Sequence, residues 1–182
     1  MALQKYPSLF LDRDGTLIKD VGYISNPGRV VFYTCTFDAL KEAQQFFRLF
    51  IITNQPGIAK GIVTLDEAIT VNTYIQSVFA DKGITIESIY MCPHAKEDNC
   101  HCRKPKTYFV DQAVAHYNLD VQHSFVIGDH PSDILLAKNA GMQGIYVLTG
   151  HGKKHKKEID NCVIVKKNLQ YAVDYILKRV QL

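Results

Sequence analysis

Strand-like runs at Ser8–Leu11, Leu49–Thr53, Ile86–Met91, Ser124–Ile127, Ile145–Leu148 and Val163–Val165 recur along the chain, with stretches of helical character between them. That alternation predicts an α/β fold built on a mainly parallel sheet with helices on both faces. Thr64-Leu65-Asp66-Glu67 reads as a capping box that opens a helix, and Gly83 closes it. Gly141 similarly ends a helix begun near Ser132. The long irregular stretches are 14–34, 55–61 and the segment around 92–102. Repeats, low-complexity tracts and linker-like stretches are absent, so one domain spanning 1–182 is expected.

The chemistry sits where strands end. Phe10-Leu11-Asp12-Arg13-Asp14-Gly15-Thr16 places two carboxylates two residues apart directly after the first apolar run. Residues i and i+2 of a strand share a face, so Asp12 and Asp14 can converge on one ligand while Gly15 turns the chain. A carboxylate can attack phosphorus and carry it as an acyl phosphate, and a second acid can protonate the leaving oxygen and then activate water. A polar turn after an edge strand would look the same from these residues alone.

Three further segments supply parts that phosphoryl transfer needs. Thr53 in Phe50-Ile51-Ile52-Thr53-Asn54-Gln55 offers a hydroxyl and an adjacent N–H to a phosphate oxygen. Lys104 in Arg103-Lys104-Pro105 can neutralise the charge of the transferring group. Asp129, leaving the run Phe125-Val126-Ile127-Gly128, can complete a magnesium site with Asp12.

Together these four segments, in this order, resemble the four motifs of the haloacid dehalogenase (HAD) superfamily of phosphatases. The resemblance implies a Rossmann-like fold and an Mg²⁺-dependent phosphoric monoester hydrolase. It implies Asp12 as nucleophile, Asp14 as general acid/base, and Thr53 and Lys104 as phosphate holders. Asp12, the Asp14 carbonyl and Asp129 become the magnesium ligands. Asp133 matches the second acid of the last motif, either orienting Lys104 or opening the following helix. Members usually insert a cap domain at one of two points, and neither insertion here is large enough, so a small open site is implied.

Cys92-Pro93-His94, then five residues, then Cys100-His101-Cys102 gives three thiols and an imidazole within eleven positions, enough for a closed, structural zinc site. His101 is the alternative nitrogen ligand. His94 is favoured, because Cys92-x-His94 and Cys100-x-Cys102 can each grip the metal from one turn. A zinc loop running into Arg103-Lys104-Pro105 resembles the D-glycero-D-manno-heptose-1,7-bisphosphate phosphatases and the histidinol-phosphate phosphatases. Lys19–Ile24 and Thr53–Gly61 favour the heptose branch; the five-residue gap in the zinc loop, and Lys106 after Pro105, look more like the histidinol-phosphate branch. Asp20, Tyr23, Thr53, Asn54, Gln55, Arg103, Lys104 and His130 are then the candidate substrate contacts, with Arg103 suited to a second phosphate. A catalytically inactive, zinc-stabilised binding module is the alternative from another class, and the intact Asp12, Asp14, Lys104 and Asp129 set weighs against it.

Composition changes this picture little. The chain has 182 residues, 47% of them hydrophobic, and a net charge of +3. No apolar run is long enough to cross a bilayer, and Met1–Pro7 lacks the apolar core of a signal peptide, so a cytoplasmic protein is expected; a monomer is expected as well. Zinc-type cysteine spacing points to a reducing compartment. Cys35 and Cys162, outside the loop, read as small core residues. The basic stretch His151-Gly152-Lys153-Lys154-His155-Lys156-Lys157 has no interleaved aromatics, so it reads as a solvated loop rather than a nucleic-acid surface. The expected partner is a small phosphorylated metabolite, with neither nucleic acid nor membrane.

Overall fold

The computed structural model describes residues 5–180; Met1–Gln4, part of the segment read as lacking a signal sequence, lie outside it. Six parallel strands form one sheet in the order β3-β2-β1-β4-β5-β6, with β1 Ser8–Leu11, β2 Arg48–Asn54, β3 Ile86–Cys92, β4 Phe125–Gly128, β5 Gln143–Val147 and β6 Ile164–Lys166. This is the doubly wound order of Rossmann-like folds.

The central strands alternate between two cores. Leu9, Leu11, Leu49, Ile51 and Ile127 pack beneath α1 (Thr36–Ala43), α3 (Leu65–Asp81) and α7 (Leu169–Val180). Phe10, Phe50, Ile52 and Val126 pack beneath α4 (Tyr108–Tyr117) and α5 (Pro131–Asn139). Phe10 and Phe50 stack at 5.0 Å between ring centroids. A strand buried on both faces must be apolar throughout, which is why these runs read as continuous rather than alternating. With all strands parallel, every carboxyl end lies on one edge, and the loops after β1 and β4 part to opposite sides there. The crevice they leave is where such sheets take ligands.

The capping box forms as expected: Glu67 N–H donates to Thr64 Oγ1 at 3.2 Å and Thr64 N–H donates to Glu67 Oε2 at 2.7 Å. Two expectations need correction. Pro56–Ala59, expected to be irregular, is a short helix, α2, started by a proline whose missing N–H is free at a first turn. The basic stretch 151–157 is not a loop. It winds into α6 (Gly152–His155) and a 3₁₀ turn, Lys156–Glu158, with its four lysines exposed. No helix among the described residues is long and apolar enough to cross a membrane.

Candidate active site

Four charged side chains meet at the carboxyl ends of β1 and β4. Lys104 Nζ lies 2.5 Å from Asp12 Oδ1 and 2.7 Å from Asp133 Oδ1, and it also donates to the Ile52 carbonyl at 2.7 Å. Asp12, Asp129 and Asp133 bring carboxylate oxygens within 4.8 Å of one another. Burial alone would discharge Lys104, but Asp12 and Asp133 hold its ammonium above the usual lysine range. Burial pushes Asp12 up to about 7, reinforced by Asp133 and Asp14 and opposed by Lys104. Asp129 is pushed up to about 9 by burial, then by Asp12 and Asp133. Three buried carboxylates thus share one ammonium, and the charge they lack is that of a divalent cation. Asp133 does both things weighed for it: Oδ1 pairs with Lys104, and Oδ2 accepts from His130 N–H at 3.1 Å to cap α5.

Asp14 stands apart from that cluster. Its carboxylate accepts from Arg13 Nε at 3.0 Å and Arg13 Nη2 at 3.1 Å, from Gln55 Nε2 at 2.7 Å and from Thr53 Oγ1 at 3.4 Å. Arg13 is 1% exposed, and its remaining arm donates to Asn72 Oδ1 of α3 at 2.7 Å. Sequence reasoning gave Arg13 no task. The available signal was a cation wedged between two acids at a strand end, where the residue between i and i+2 faces the other way and must find a buried partner.

Asp12, Asp14, Asp20, Tyr23, Thr53, Asn54, Gln55, Arg103, Lys104, Asp129, His130 and Asp133 all line one open pocket of about 550 Å³. Several of them are engaged within the protein. Asn54 Oδ1 accepts from Lys104 N–H at 3.1 Å, so it anchors the lysine's backbone. Gln55 spends its amide on Asp14 and Thr53. Arg103 donates one arm to the His94 carbonyl at 3.1 Å. Tyr23 OH accepts from Lys60 at 3.1 Å.

His151, read from sequence as part of a basic surface, also lines the pocket. Its N–H donates to Asp129 Oδ2 at 2.7 Å, and its Nε2 lies 2.8 Å from Asp20 Oδ2. Gly150 precedes it with φ +50°, and a β-carbon there would collide with Asp129 Oδ2 and with Gly15 Cα. The glycine pair lets the loops after β1 and β5 close on the carboxylate. The missed signal was position: Leu148–His151 follows a strand at the same edge as the other motifs.

Cys92, His94, Cys100 and Cys102 form the second cluster. Sulfur separations are 3.6 Å for Cys92–Cys100 and 3.7 Å for Cys100–Cys102, and His94 Nδ1 lies 3.3 Å from Cys102 Sγ and 3.7 Å from Cys92 Sγ. A tetrahedral zinc with Zn–S bonds of about 2.3 Å sets sulfur edges near 3.8 Å, so the donor set fits that ion. His101 is elsewhere, edge-on to the Tyr108 ring at 4.4 Å. Lys106 Nζ donates to Asn99 O at 3.0 Å, Asn99 Oδ1 at 3.1 Å and Cys100 O at 2.5 Å, stapling the loop. Of the outlying cysteines, Cys35 is half-buried against the core, but Cys162 is exposed, correcting the expectation of a core residue. It falls in an exposed turn before β6.

Residues 101–179 match the HAD-hydrolase-like family. The D-glycero-beta-D-manno-heptose-1,7-bisphosphate 7-phosphatase of Helicobacter pylori J99 is 37% identical over 171 residues, covering 93% of this chain and 96% of its own. The chain belongs to the HAD family of phosphatases. A solved structure of that family, the D,D-heptose 1,7-bisphosphate phosphatase of B. bronchiseptica complexed with magnesium and phosphate, superposes with a TM-score of 0.86 at 25% identity, over 94% of this chain and 99% of its own. The histidine biosynthesis bifunctional protein HisB of Actinobacillus pleuropneumoniae is 32% identical over 166 residues, 90% of this chain but 44% of its own. As a HAD phosphatase, this chain is a phosphoric monoester hydrolase.

Proposed function

We propose that this enzyme removes the 7-phosphate of D-glycero-D-manno-heptose 1,7-bisphosphate through an aspartyl-phosphate on Asp12, acting as a cytoplasmic single-domain monomer. The observation that carries the chemistry is the pocket in which Asp12, held by Lys104, stands beside a separately held second acid, Asp14. Asp12 attacks phosphorus in line. Lys104 and the Thr53 hydroxyl meet the charge that develops on the phosphoryl oxygens. Asp14 gives its proton to the departing sugar oxygen and later takes one from the water that attacks the aspartyl-phosphate. Gln55 and Arg13 keep that carboxylate aimed at the pocket.

Asp12, Asp129 and the Asp14 carbonyl would hold a magnesium ion, which when bound supplies charge neutralisation at the transferring group. Cys92, His94, Cys100 and Cys102 would hold a structural zinc, fixing the loop that presents Arg103 and Lys104. The extent of similarity to the Helicobacter enzyme supports the heptose substrate. Histidinol phosphate is the second reading, favoured by the five-residue gap in the zinc loop. Lys106 does not add to it, because its ammonium is spent inside the loop rather than on a ligand. Steady-state rates with magnesium on both anomers of the heptose bisphosphate and on histidinol phosphate test the assignment. A kcat/KM highest for a heptose anomer is expected; a preference for histidinol phosphate would overturn the substrate and leave the mechanism standing.

A further inference from the structure

One contact crosses the mouth of the pocket. Asp20 lies in the loop after β1 and His151 in the loop after β5, and their side chains meet at 2.8 Å with the carboxylate 23% and the imidazole 50% exposed. Both ends of this strut are anchored. His151 is pinned through its N–H to Asp129, and the glycine before it fits only because it has no side chain. Asp20 Oδ1 accepts from Gly22 N–H at 2.9 Å. Arg29 holds the same loop by donating to the Tyr23 carbonyl at 3.1 Å and the Val21 carbonyl at 3.0 Å.

We infer that His151 is a positioning residue for substrate selection, its imidazole fixing Asp20 as an acceptor for the hydroxyl groups of a polyhydroxylated phosphate ester. Asp20 Oδ1 has the Gly22 N–H as donor and Oδ2 has the His151 imidazole 2.8 Å away, so both oxygens are contacted from the protein while the residue still lines the pocket. A carboxylate so held accepts a hydroxyl without first losing rotational freedom, whereas an exposed, unheld Asp must be ordered by the ligand. The strut does not touch Asp12, Asp14 or Lys104, so it acts on binding of the non-reacting part of the substrate. This inference rests on the polyol-phosphate reading above.

The test compares wild type, His151→Ala, His151→Gln and Asp20→Ala on the best natural substrate and on para-nitrophenyl phosphate, which offers no hydroxyl. Measuring the wild type first on the heptose bisphosphate and histidinol phosphate separates a wrong substrate from a wrong strut, since the variants are then compared on whichever is preferred. In His151→Ala, the ratio of kcat/KM for the natural substrate to that for the aryl phosphate should fall up to about tenfold, mostly through KM, the effect of one close polar contact. His151→Gln, whose amide nitrogen replaces Nε2, should recover most of the ratio. Adding His151→Ala to Asp20→Ala should cost less than about twofold more, because the two act as one unit. An unchanged ratio, an equal loss on both substrates or additive losses in the double variant would overturn the inference. An equal loss would instead assign His151 to Asp129.

Discussion

Replacing Arg13 by Met removes a buried cation while keeping much of its packing volume. Asp14 would lose two charge-assisted hydrogen bonds, at 3.0 and 3.1 Å, and Asn72 Oδ1 would lose its 2.7 Å donor inside the protein. Charge-assisted bonds contribute about 1.5–3 kcal/mol each and an orphaned buried acceptor costs about 1–3 kcal/mol. Breaking a fully buried pair costs about 3–5 kcal/mol, but the Asp14 side chain is 19% exposed and water can partly replace the guanidinium. A net loss of about 3 kcal/mol is therefore expected. A domain with about 5–15 kcal/mol of stability stays folded after such a loss, so kinetics remain measurable. Turnover should fall about 10–100-fold in kcat, part of the 10²–10⁴-fold that a positioned proton donor contributes. Arg13→Lys should recover only a fraction, because an ammonium cannot reproduce the fork. Urea unfolding followed by circular dichroism, with kcat measured on the same preparations, decides the matter. A loss under about 1 kcal/mol with kcat unchanged would refute the reasoning.

Two further outcomes follow from the charge distribution. The metal-free protein should lose stability as pH rises from about 4 to about 9, because Asp12 (about 7) and Asp129 (about 9) keep protons in the folded state that the unfolded chain releases near its ordinary carboxylate value. His130, pushed below its ordinary value by burial, opposes this by a smaller amount. Magnesium should raise Tm more at pH 8 than at pH 5, and a metal-free Tm that rises between those pH values would contradict the shifts. Protein purified under reducing conditions should carry about one zinc per chain, and Lys106→Met should speed its loss to a chelator. Metal analysis finding no zinc would exclude the second centre.

Most of the sheet was legible because its central strands, β1, β2 and β4, are buried on both faces. Phe10 and Val126 face one core while Leu9 and Ile127 face the other, so the central runs are apolar at successive positions. Strand ends were less legible: β5 begins at Gln143, two residues before the apolar run, since its first residues are exposed and its pairing is set by β4. The four motifs meet at one pocket because parallel strands deliver their carboxyl ends to one edge. Arg13 and His151 escaped notice for opposite reasons. Arg13 works from beneath the site, marked in sequence only by its place between two acids, and His151 was absorbed into a lysine-rich stretch whose four lysines are exposed. The exposed Cys162 shows the limit of residue type as a guide to burial, because a turn at the sheet edge leaves even a small apolar side chain uncovered.

The central claim is that Asp12 carries the phosphoryl group. Rapid acid quenching of the Asp14→Asn variant with ³²P-labelled substrate, followed by peptide mapping, tests it most directly, because loss of the general base slows hydrolysis of the intermediate. Label on the peptide containing Asp12, absent from an Asp12→Asn control, is the expected result. Label on any other residue, or phosphate release by Asp12→Asn at the wild-type rate, would contradict it.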